Sequence, residues 1–319
     1  MTGWASAQTA TSGCGRFAPS PSSRLHLGNL RTALLSWLFA RTSGRGFAVR
    51  IEDLDTARSK PEMADRHLAE LAALGLDWDG PVVWQSARGD AYAAAIDRLT
   101  AAGLTYECFC TRREIAEAAS APHAPPGAYP GTCRDLPAAE RERRRAAGRR
   151  PALRLRARTA TLTVDDAVAG PYTGTVDDLV LRRGDGTVAY NLAVVVDDAA
   201  AGIDQVVRGD DLLPSTPRQV HLAHLLELPV PRFCHVPLVL GPRGRRLSKR
   251  DGAVTLEDLV AAGTDAGAVR TLLAVSLGLA DPGEAVSPAE LLARFDPHRL
   301  PTTPWVYRPA PAGSDRPVR

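Results

Sequence analysis

The sequence predicts an α/β protein with a parallel sheet at its centre, and three observations carry this prediction. Apolar residues recur at helical spacing across residues 29–43, strand-like runs flank them at 15–19 and 47–51, and helix again alternates with strand beyond residue 190. A strand, helix and strand in this order form a βαβ unit, whose ligand site lies beyond the carboxyl ends of the strands. The loop at residues 19–29 is therefore the first candidate site.

The remaining elements follow in chain order. Periodicity predicts helices at 60–74 and 91–102, a segment without periodicity from 105 to 137, a polar helix at 141–150, and short β-segments across 152–190 with a turn at Asp185-Gly186 between 179–181 and 188–190. A second α/β half then has helices at 191–200 and 214–226 and strands at 205–208 and 233–239. Beyond residue 249 we expect helix to residue 295, and then a loosely ordered proline-rich tail.

Composition narrows the class of protein. The 319 residues are 45% hydrophobic and 24% charged, with a formal net charge of +3, which is typical of a globular chain and gives no global signature of nucleic-acid binding. The sequence contains no apolar run of membrane-spanning length, so we expect no membrane partner. Five cysteines, three of them in one segment, suit a reducing compartment and a metal better than a disulfide framework, and we expect a cytoplasmic protein.

The loop at residues 16–29, RFAPSPSSRLHLGN, places turn-forming residues and a histidine directly before a predicted helix. Free backbone N–H groups and the positive end of the helix dipole favour an anion there. Gly28 lacks a Cβ and permits close approach of a flat base, while His26 is placed to donate a hydrogen bond to developing charge. From residue chemistry alone, a helix cap at His26 and a simple turn at Gly28 explain the pattern equally well.

A second cationic loop, GPRGRRLSKR at residues 241–250, follows the second α/β half. Pyrophosphate leaving ATP gathers negative charge, and an ammonium beside it stabilises the transition state more than the ground state. We expect Lys249 to supply that ammonium. A solvated basic loop is the alternative explanation of the cluster taken by itself.

Charged residues also stand at the ends of predicted strands. Glu52 follows the second strand, and Arg208 ends a later one. A substrate with an amine, an α-carboxylate and a side-chain carboxylate would be matched by Glu52, Tyr190, Arg208 and Arg16 together. Surface ion pairs would explain each residue individually, but a position at strand ends favours a glutamate site. An arginine buried at such a position would reject neutral analogues, because its charge would be left unpaired.

Cys108, Cys110 and Cys133 lie within the segment that lacks periodicity. Three thiolates suit tetrahedral zinc, although the Cys-x-Cys spacing favours zinc only slightly over free buried thiols. A basic stretch follows, which is either a solvated helix face or a set of RNA phosphate contacts. Its members are Arg141, Arg143, Arg144, Arg145, Arg149, Arg150, Arg154, Arg156 and Arg158.

The two loops together resemble the signatures of class I aminoacyl-tRNA synthetases of the glutamate branch. His26-Leu27-Gly28-Asn29, preceded by RFAPSP, resembles the HIGH motif in its glutamyl form, and Leu247-Ser248-Lys249-Arg250 resembles the KMSKS motif. Asn29 departs from the final histidine of the name, at a place where members of this branch vary. The resemblance covers residues 15–301 and implies a Rossmann-type catalytic core split by a zinc-binding, acceptor-like insertion and followed by a short helical segment.

The resemblance also implies domain boundaries and site residues. We expect an N-terminal extension at 1–14, a first Rossmann half at 15–104, the insertion at 105–190, a second half at 191–262, a helical segment at 263–300 and a flexible tail at 301–319. It implies that His26 and Lys249 are catalytic, that ATP is bound by His26, Gly28, Asn29, Ser248 and Lys249, and that glutamate is bound by Arg16, Phe17, Ala18, Pro19, Ser20, Glu52, Tyr190 and Arg208. One structural zinc ion would be held by Cys108, Cys110, Tyr129 and Cys133. Because a phenol titrates near pKa ~10, His123 competes with Tyr129 for the fourth ligand position.

Seventy residues follow Lys249, fewer than the helical anticodon-binding part of true glutamyl synthetases requires. The resemblance is therefore to the short glutamyl-Q group of this branch. It implies a monomeric enzyme that activates L-glutamate with ATP and Mg²⁺, without needing tRNA, and transfers it to queuosine in the anticodon of tRNA(Asp). The alternatives are a truncated glutamyl-tRNA synthetase that charges a tRNA 3′ end and an inactive RNA-binding paralogue.

Overall fold

The computed structural model describes residues 13–111, 113–115, 129–245, 247 and 254–309. The strands are β1 (Cys14–Phe17), β2 (Gly46–Ile51), β3 (Val83–Trp84), β4 (Thr105–Cys108), β5 (Ala152–Leu155), β6 (Thr161–Asp166), β7 (Gly170–Thr175), β8 (Val180–Arg182), β9 (Ile203–Gly209), β10 (Arg232–Val236), β11 (Val239–Leu240) and β12 (Trp305–Val306). The α-helices are α1 (Leu27–Thr42), α2 (Pro61–Ala73), α3 (Gly89–Ala101), α4 (Ala138–Ala146), α5 (Tyr190–Ala200), α6 (Thr216–Leu225), α7 (Leu256–Ala261), α8 (Ala266–Val275) and α9 (Pro288–Arg294).

These elements form two compact units. The first consists of Met1–Trp84, Gly202–Asp211 and Arg232–Arg319, and the second of Gln85–Ala201 and Leu212–Pro231. The first unit contains a parallel five-stranded sheet in the order β10-β9-β1-β2-β3, in which α1 connects the adjacent strands β1 and β2. The βαβ unit and the parallel central sheet predicted from the sequence are thus confirmed.

Strand register gives this sheet two chemically different faces. Gly15 points towards α1, because a Cβ at this position would lie 2.9 Å from Ala40 Cβ. Gly15 pairs with Gln205, and side chains alternate along each strand, so Arg16 and Arg208 lie on the face directed away from α1. Arg16 pairs with Ala48, which puts Arg50 on that same face, and Arg208 pairs with His235.

Helix α1 is buried around almost its whole circumference, as expected of a helix enclosed by the core of its unit. It even includes a buried cation, Arg31, which is 2% exposed. Arg31 donates from Nη1 to the Pro237 carbonyl oxygen at 2.9 Å and from Nε to Ser276 Oγ at 3.1 Å. Burial lowers the pKa of this guanidinium to about 10. Arg31 therefore joins α1 both to the chain after β10 and to the end of α8.

Helix α2 holds the loop that precedes α1. The buried His67 lies with Nε2 2.7 Å from the Ser23 carbonyl oxygen, an arrangement in which the ring nitrogen donates. One turn further on, burial and the neighbouring Glu257 raise the pKa of Glu70 to about 7, against the opposing effect of Arg24 and Arg66. Glu70 Oε2 is buried and makes no hydrogen bond to the residues that the structure describes. Ionisation of Glu70 is therefore unfavourable in the folded protein.

The second unit is built from small antiparallel sheets and helices. Strand β5 lies between β4 and β8, and β6 pairs with β7. The buried Asp197 of α5 accepts hydrogen bonds from Gln85, Arg88 and Tyr92, which joins α5 to the start of α3. The interior of this unit thus contains a buried carboxylate as well as apolar packing. The carboxylate is tolerated there because each of its oxygens accepts hydrogen bonds.

Several predicted elements differ from the structure. Residues 189–190 were expected in a strand, but Tyr190 begins α5, and the turn at Asp185-Gly186 is followed only by a single bridge between Arg182 and Val188. The predicted helix at 214–226 begins as a 3-10 turn at Asp210–Ser215. The predicted tail contains an ordered strand, since β12 pairs with β11 and Tyr307 is buried; the tail has no periodicity because it forms a single edge pairing.

Within the described part of the chain, no helix has the length and apolarity needed to cross a membrane. The domain boundaries given above remain predictions.

The role of Arg31 is tested by Arg31→Met, which keeps the apolar stem but removes the donors. We expect the free energy of unfolding to fall by about 2–3 kcal/mol, because the buried Pro237 carbonyl and the half-buried Ser276 hydroxyl lose a charged donor. Urea denaturation followed by circular dichroism measures the change. Arg58→Met, at an exposed arginine, is the control and should change stability by less than about 0.5 kcal/mol; equal losses in the two variants would contradict the assignment.

The raised pKa of Glu70 predicts a pH-dependent effect of Glu70→Gln. A carboxyl group whose pKa rises on folding destabilises the protein progressively as pH increases from its unfolded pKa to its folded pKa. The variant should match the wild type near pH 4.5 and become more stable by about 1 kcal/mol above pH 7, a figure reduced for partial exposure. Thermal melting across this range measures the difference. Glu62→Gln removes the same charge from an exposed turn of α2, and an identical pH trend in both variants would refute the explanation.

Candidate active site

His26 occupies the N-cap of α1. Its Nδ1 accepts hydrogen bonds from the backbone N–H groups of Gly28 (3.1 Å) and Asn29 (3.3 Å), while the Asn29 side-chain oxygen accepts the N–H of His26 (3.2 Å). Because Nδ1 is an acceptor, a neutral imidazole carries its proton on Nε2. The structure thus contains the helix cap that residue chemistry allowed, and the cap also orients a ring N–H donor at the helix terminus.

The start of α1 is suited to an anion. Its first turn contains no acidic residue, so the positive end of the helix dipole is not neutralised locally. Gly28 is required here, because a Cβ would lie 2.9 Å from Cε1 of His26. The sequence assigned Gly28 to the approach of a base; the structure adds that it leaves room for the capping imidazole.

The residues on either side of the lysine loop are held by backbone contacts, and those that follow the loop lie beside His26. Leu247 is buried and donates its N–H to the Val239 carbonyl oxygen (3.4 Å), which fixes the side of the loop that follows β11. On the other side, Leu27 donates its N–H to Val254 O at 2.9 Å, and His26 forms an isolated β-bridge with Thr255. The predicted residues Ser248 and Lys249 lie outside the described residues, so their roles remain predictions.

Most of the predicted glutamate-binding residues lie at one edge of the parallel sheet. Arg16 and Arg208 share the face directed away from α1, and Phe17, at the end of β1, leads into Ala18, Pro19 and Ser20. The loop is tied to β2, because Glu52 donates its N–H to the Pro19 carbonyl oxygen at 3.0 Å. These residues form one cluster in the first unit. Tyr190 begins α5 in the second unit.

Two further residues on this sheet face were not assigned a role from the sequence. Arg50 donates to Glu52 Oε1 at 3.3 Å, and both side chains are at most 10% exposed, so a cation holds the carboxylate that would face a substrate ammonium. His235 Nε2 accepts a hydrogen bond from Arg208 Nε at 3.0 Å. Arg50 and His235 each stand one residue before the end of a strand, but only the register shows that they share the face of Arg16 and Arg208.

The predicted metal ligands converge in the second unit. The three cysteine sulfurs lie within 4.8 Å of one another, and the Sγ atoms of Cys110 and Cys133 are 3.4 Å apart. Tetrahedral zinc with Zn–S bonds of about 2.3 Å separates sulfurs by roughly 3.8 Å, so the cluster fits a zinc ion. Tyr129 belongs to it geometrically: its hydroxyl oxygen lies 3.3 Å from Cys108 Sγ and accepts the Cys133 N–H at 2.8 Å. His123 lies outside the described residues.

Charged neighbours fix Tyr129 and the cluster. The guanidinium carbon of Arg154 lies 3.7 Å above the Tyr129 ring, and Asp177 accepts the Tyr129 backbone N–H at 2.8 Å. Burial opposes ionisation of the Cys108 thiol, but Tyr129 and Arg154 outweigh it and lower the pKa of Cys108. Burial and Cys108 raise the pKa of the Tyr129 phenol, so the phenolate form requires a bound cation.

Much of the basic stretch serves internal contacts. Arg154 is buried, at 7% exposure, and donates to the Asp178 carbonyl oxygen, so the prediction that it contacts RNA is wrong for this structure. Among the residues that the structure describes, ion pairs join Arg143 and Arg144 to Glu140, Arg145 to Glu107 and Glu142, Arg149 to Glu114, and Arg156 to Asp135. An RNA-binding role for the other members stays a prediction.

Comparisons with known proteins identify the family of this chain. The family described as tRNA synthetases class I (E and Q), catalytic domain, matches residues 14–306. A glutamyl-Q tRNA(Asp) synthetase of Nocardia farcinica is 65% identical over 92% of this chain and 93% of its own length. The protein of the same name from Symbiobacterium thermophilum is 50% identical over 91% and 94%.

A solved structure shares the fold. The glutamate tRNA ligase of Elizabethkingia meningosepticum, determined in complex with its amino acid, superposes with a TM-score of 0.78 at 28% identity, over 92% of this chain and 67% of its own. Together with the family match, this establishes the class I catalytic fold. The chain belongs to the class I glutamyl and glutaminyl tRNA synthetase family and, within it, to the glutamyl-Q tRNA(Asp) synthetases.

Proposed function

We propose that this protein activates L-glutamate with ATP and Mg²⁺ and transfers the glutamyl group to queuosine in the anticodon of tRNA(Asp). The observation that supports this most directly is the charge of one sheet face, on which Arg16, Arg50 and Arg208 lie together with the carboxylate of Glu52. Arg16 and Arg208 complement two carboxylates, and Glu52, which is held by Arg50, complements one ammonium, so these residues match an amino acid with an acidic side chain. The names of the most similar relatives agree with this reading.

The first step is formation of an adenylate. A glutamate α-carboxylate oxygen attacks the α-phosphorus of ATP, the bond to the bridging oxygen breaks, and pyrophosphate leaves. His26 Nε2–H and the N-terminus of α1 would stabilise charge on the phosphate oxygens, while Lys249 would do so for pyrophosphate. Gly28, Asn29 and Ser248 would complete the ATP contacts. Mg²⁺, when bound with ATP, supplies further charge neutralisation.

Glutamate would be held by residues at the carboxyl ends of the parallel strands. In this proposal Glu52 binds the ammonium, Arg208 forms a bidentate pair with the side-chain carboxylate, and Arg16 completes the site along with backbone and side-chain atoms of residues 17–20; the role of Tyr190 remains a prediction from the sequence. In the second step, a hydroxyl of the queuosine cyclopentenediol attacks the glutamyl carbonyl and AMP leaves with the bonding electrons. Positioning of the two reactants supplies most of the acceleration that this transfer needs.

Zinc would have a structural role. Cys108, Cys110, Cys133 and Tyr129 would hold one ion and join the chain after β4 to the residues before α4, and none of these four residues has a role in the two chemical steps. The nearness of the Tyr129 hydroxyl to all three cysteines favours Tyr129 over His123 as the fourth ligand.

The proposed function predicts where the label from radioactive glutamate is found. Incubation with ATP, Mg²⁺ and tRNA(Asp) should label RNA only when the RNA carries queuosine, and nuclease mapping should place the label in the anticodon fragment. Label at the 3′ terminus would instead show a truncated glutamyl-tRNA synthetase. Absence both of label and of glutamate-dependent pyrophosphate exchange would show an inactive paralogue.

The zinc site predicts metal content and stability. The purified protein should contain roughly one zinc ion per chain, and its removal by a chelator should lower the melting temperature by several degrees, because a structural site contributes directly to folding. Cys133→Ala should abolish binding and Tyr129→Phe should weaken it, whereas His123→Ala should leave it unchanged. Atomic absorption and competition with a chromophoric chelator measure the content and the affinity; loss of zinc in the His123 variant alone would reverse the ligand assignment.

A further inference from the structure

The Arg208 side chain is oriented by β10. Strands β9 and β10 pair in parallel with Arg208 opposite His235, so the two side chains leave the sheet on the same face. Nε of Arg208 donates to Nε2 of His235 at 3.0 Å, and the guanidinium carbon lies 5.2 Å from the ring centroid of Phe233. Both members of the hydrogen-bonded pair are buried, at 5% and 1% exposure. The arginine thus has a fixed direction before any substrate arrives.

This contact determines which nitrogen atoms of the guanidinium a carboxylate can pair with bidentately. A guanidinium forms two parallel hydrogen bonds either through Nε and one terminal nitrogen or through its two terminal nitrogens. Because His235 takes the Nε hydrogen, a carboxylate can pair bidentately only with the terminal edge. The imidazole therefore fixes the geometry of recognition without touching the ligand.

The orienting group is also neutral, because Nε2 of His235 accepts a hydrogen bond and so carries no proton. A carboxylate in this position would orient Arg208 equally well, but it would form an ion pair and cancel the charge available to the substrate. An imidazole orients the guanidinium without itself adding a negative charge. Preference for an acidic over an amide side chain depends on the positive charge of Arg208.

We propose that His235 is a positioning residue for specificity: as a neutral hydrogen-bond acceptor, it directs the terminal edge of Arg208 at the side-chain carboxylate of glutamate and preserves the charge that discriminates against glutamine. Phe233 assists by stacking with His235, with ring centroids 6.0 Å apart and ring planes 17° apart. The proposal rests on the function proposed above, since it takes Arg208 to be the residue that binds the side-chain carboxylate.

The test compares three substitutions by amino-acid-dependent pyrophosphate exchange. His235→Gln keeps a neutral acceptor and should leave the KM for glutamate within about threefold of wild type. His235→Leu removes the acceptor and should raise this KM roughly 10- to 100-fold, with the KM for ATP within about twofold. His235→Glu has nearly the same shape as His235→Gln but adds a carboxylate, and should lower the preference for glutamate over glutamine by about tenfold or more.

Cys234→Ala is the matched control, because Cys234 lies on the same strand but alternates to the opposite face and is fully buried. It should lower the melting temperature without changing the KM for glutamate. Should His235→Leu fail to fold, the comparison of the Gln and Glu variants still decides, since they differ in charge and not in size.

Equal impairment of the Gln and Glu variants, or a wild-type KM for glutamate in His235→Leu, would overturn the proposal and leave His235 a packing residue. A wild-type protein that does not exchange pyrophosphate with glutamate would overturn the proposed function together with this inference. Activity in the wild type with KM values insensitive to residue 235 would overturn the inference alone.

Discussion

Alternation of side chains along parallel strands is the constraint on which the site depends. One set of positions packs against α1, and Gly15 is small because the helix lies against it. The other set carries Arg16, Arg50 and Arg208, which the same register brings to one face. A shift of any strand by one residue would exchange the two sets and bury guanidinium groups against the apolar helix. The energy of the core therefore enforces the arrangement of charges at the site.

Helix α1 connects this sheet to the nucleotide loop. Its N-cap histidine is fixed by two backbone N–H groups, and its buried Arg31 is fixed by acceptors after β10 and at the end of α8. The helix is thus held at both its start and its first turns by polar contacts that apolar packing alone would not provide. The loop in turn is joined to β2 through Pro19 and to α2 through Ser23. Small displacements of the loop would break several of these bonds at once.

The sequence was most informative where the period of apolar residues was strong. The first βαβ unit was predictable because Leu30, Leu34 and Leu38 follow helical spacing and all are buried. The sequence failed where structure depends on partners distant in the chain: β12 is stabilised by β11, and Tyr190 begins a helix in a segment whose composition resembles a strand. The role of His235 was not predictable for the same reason, since nothing within β10 reveals that Arg208 is its neighbour. Cys108 and Cys133, by contrast, were recognisable as candidate metal ligands from residue type alone.

The order of strands in the central sheet has a consequence for how the chain acquires its structure. Strand β1 pairs with β9, so that Gly15 meets Gln205 only after the chain between them has closed a very long loop. The entropy of closing such a loop rises with the logarithm of its length, and it is smaller when the intervening chain is already compact. The second unit, most of which lies between these two strands, has its own sheets and buried polar contacts. If this unit folds first, it acts as an internal tether that shortens the effective distance between the two parts of the sheet, and the charged face then assembles last.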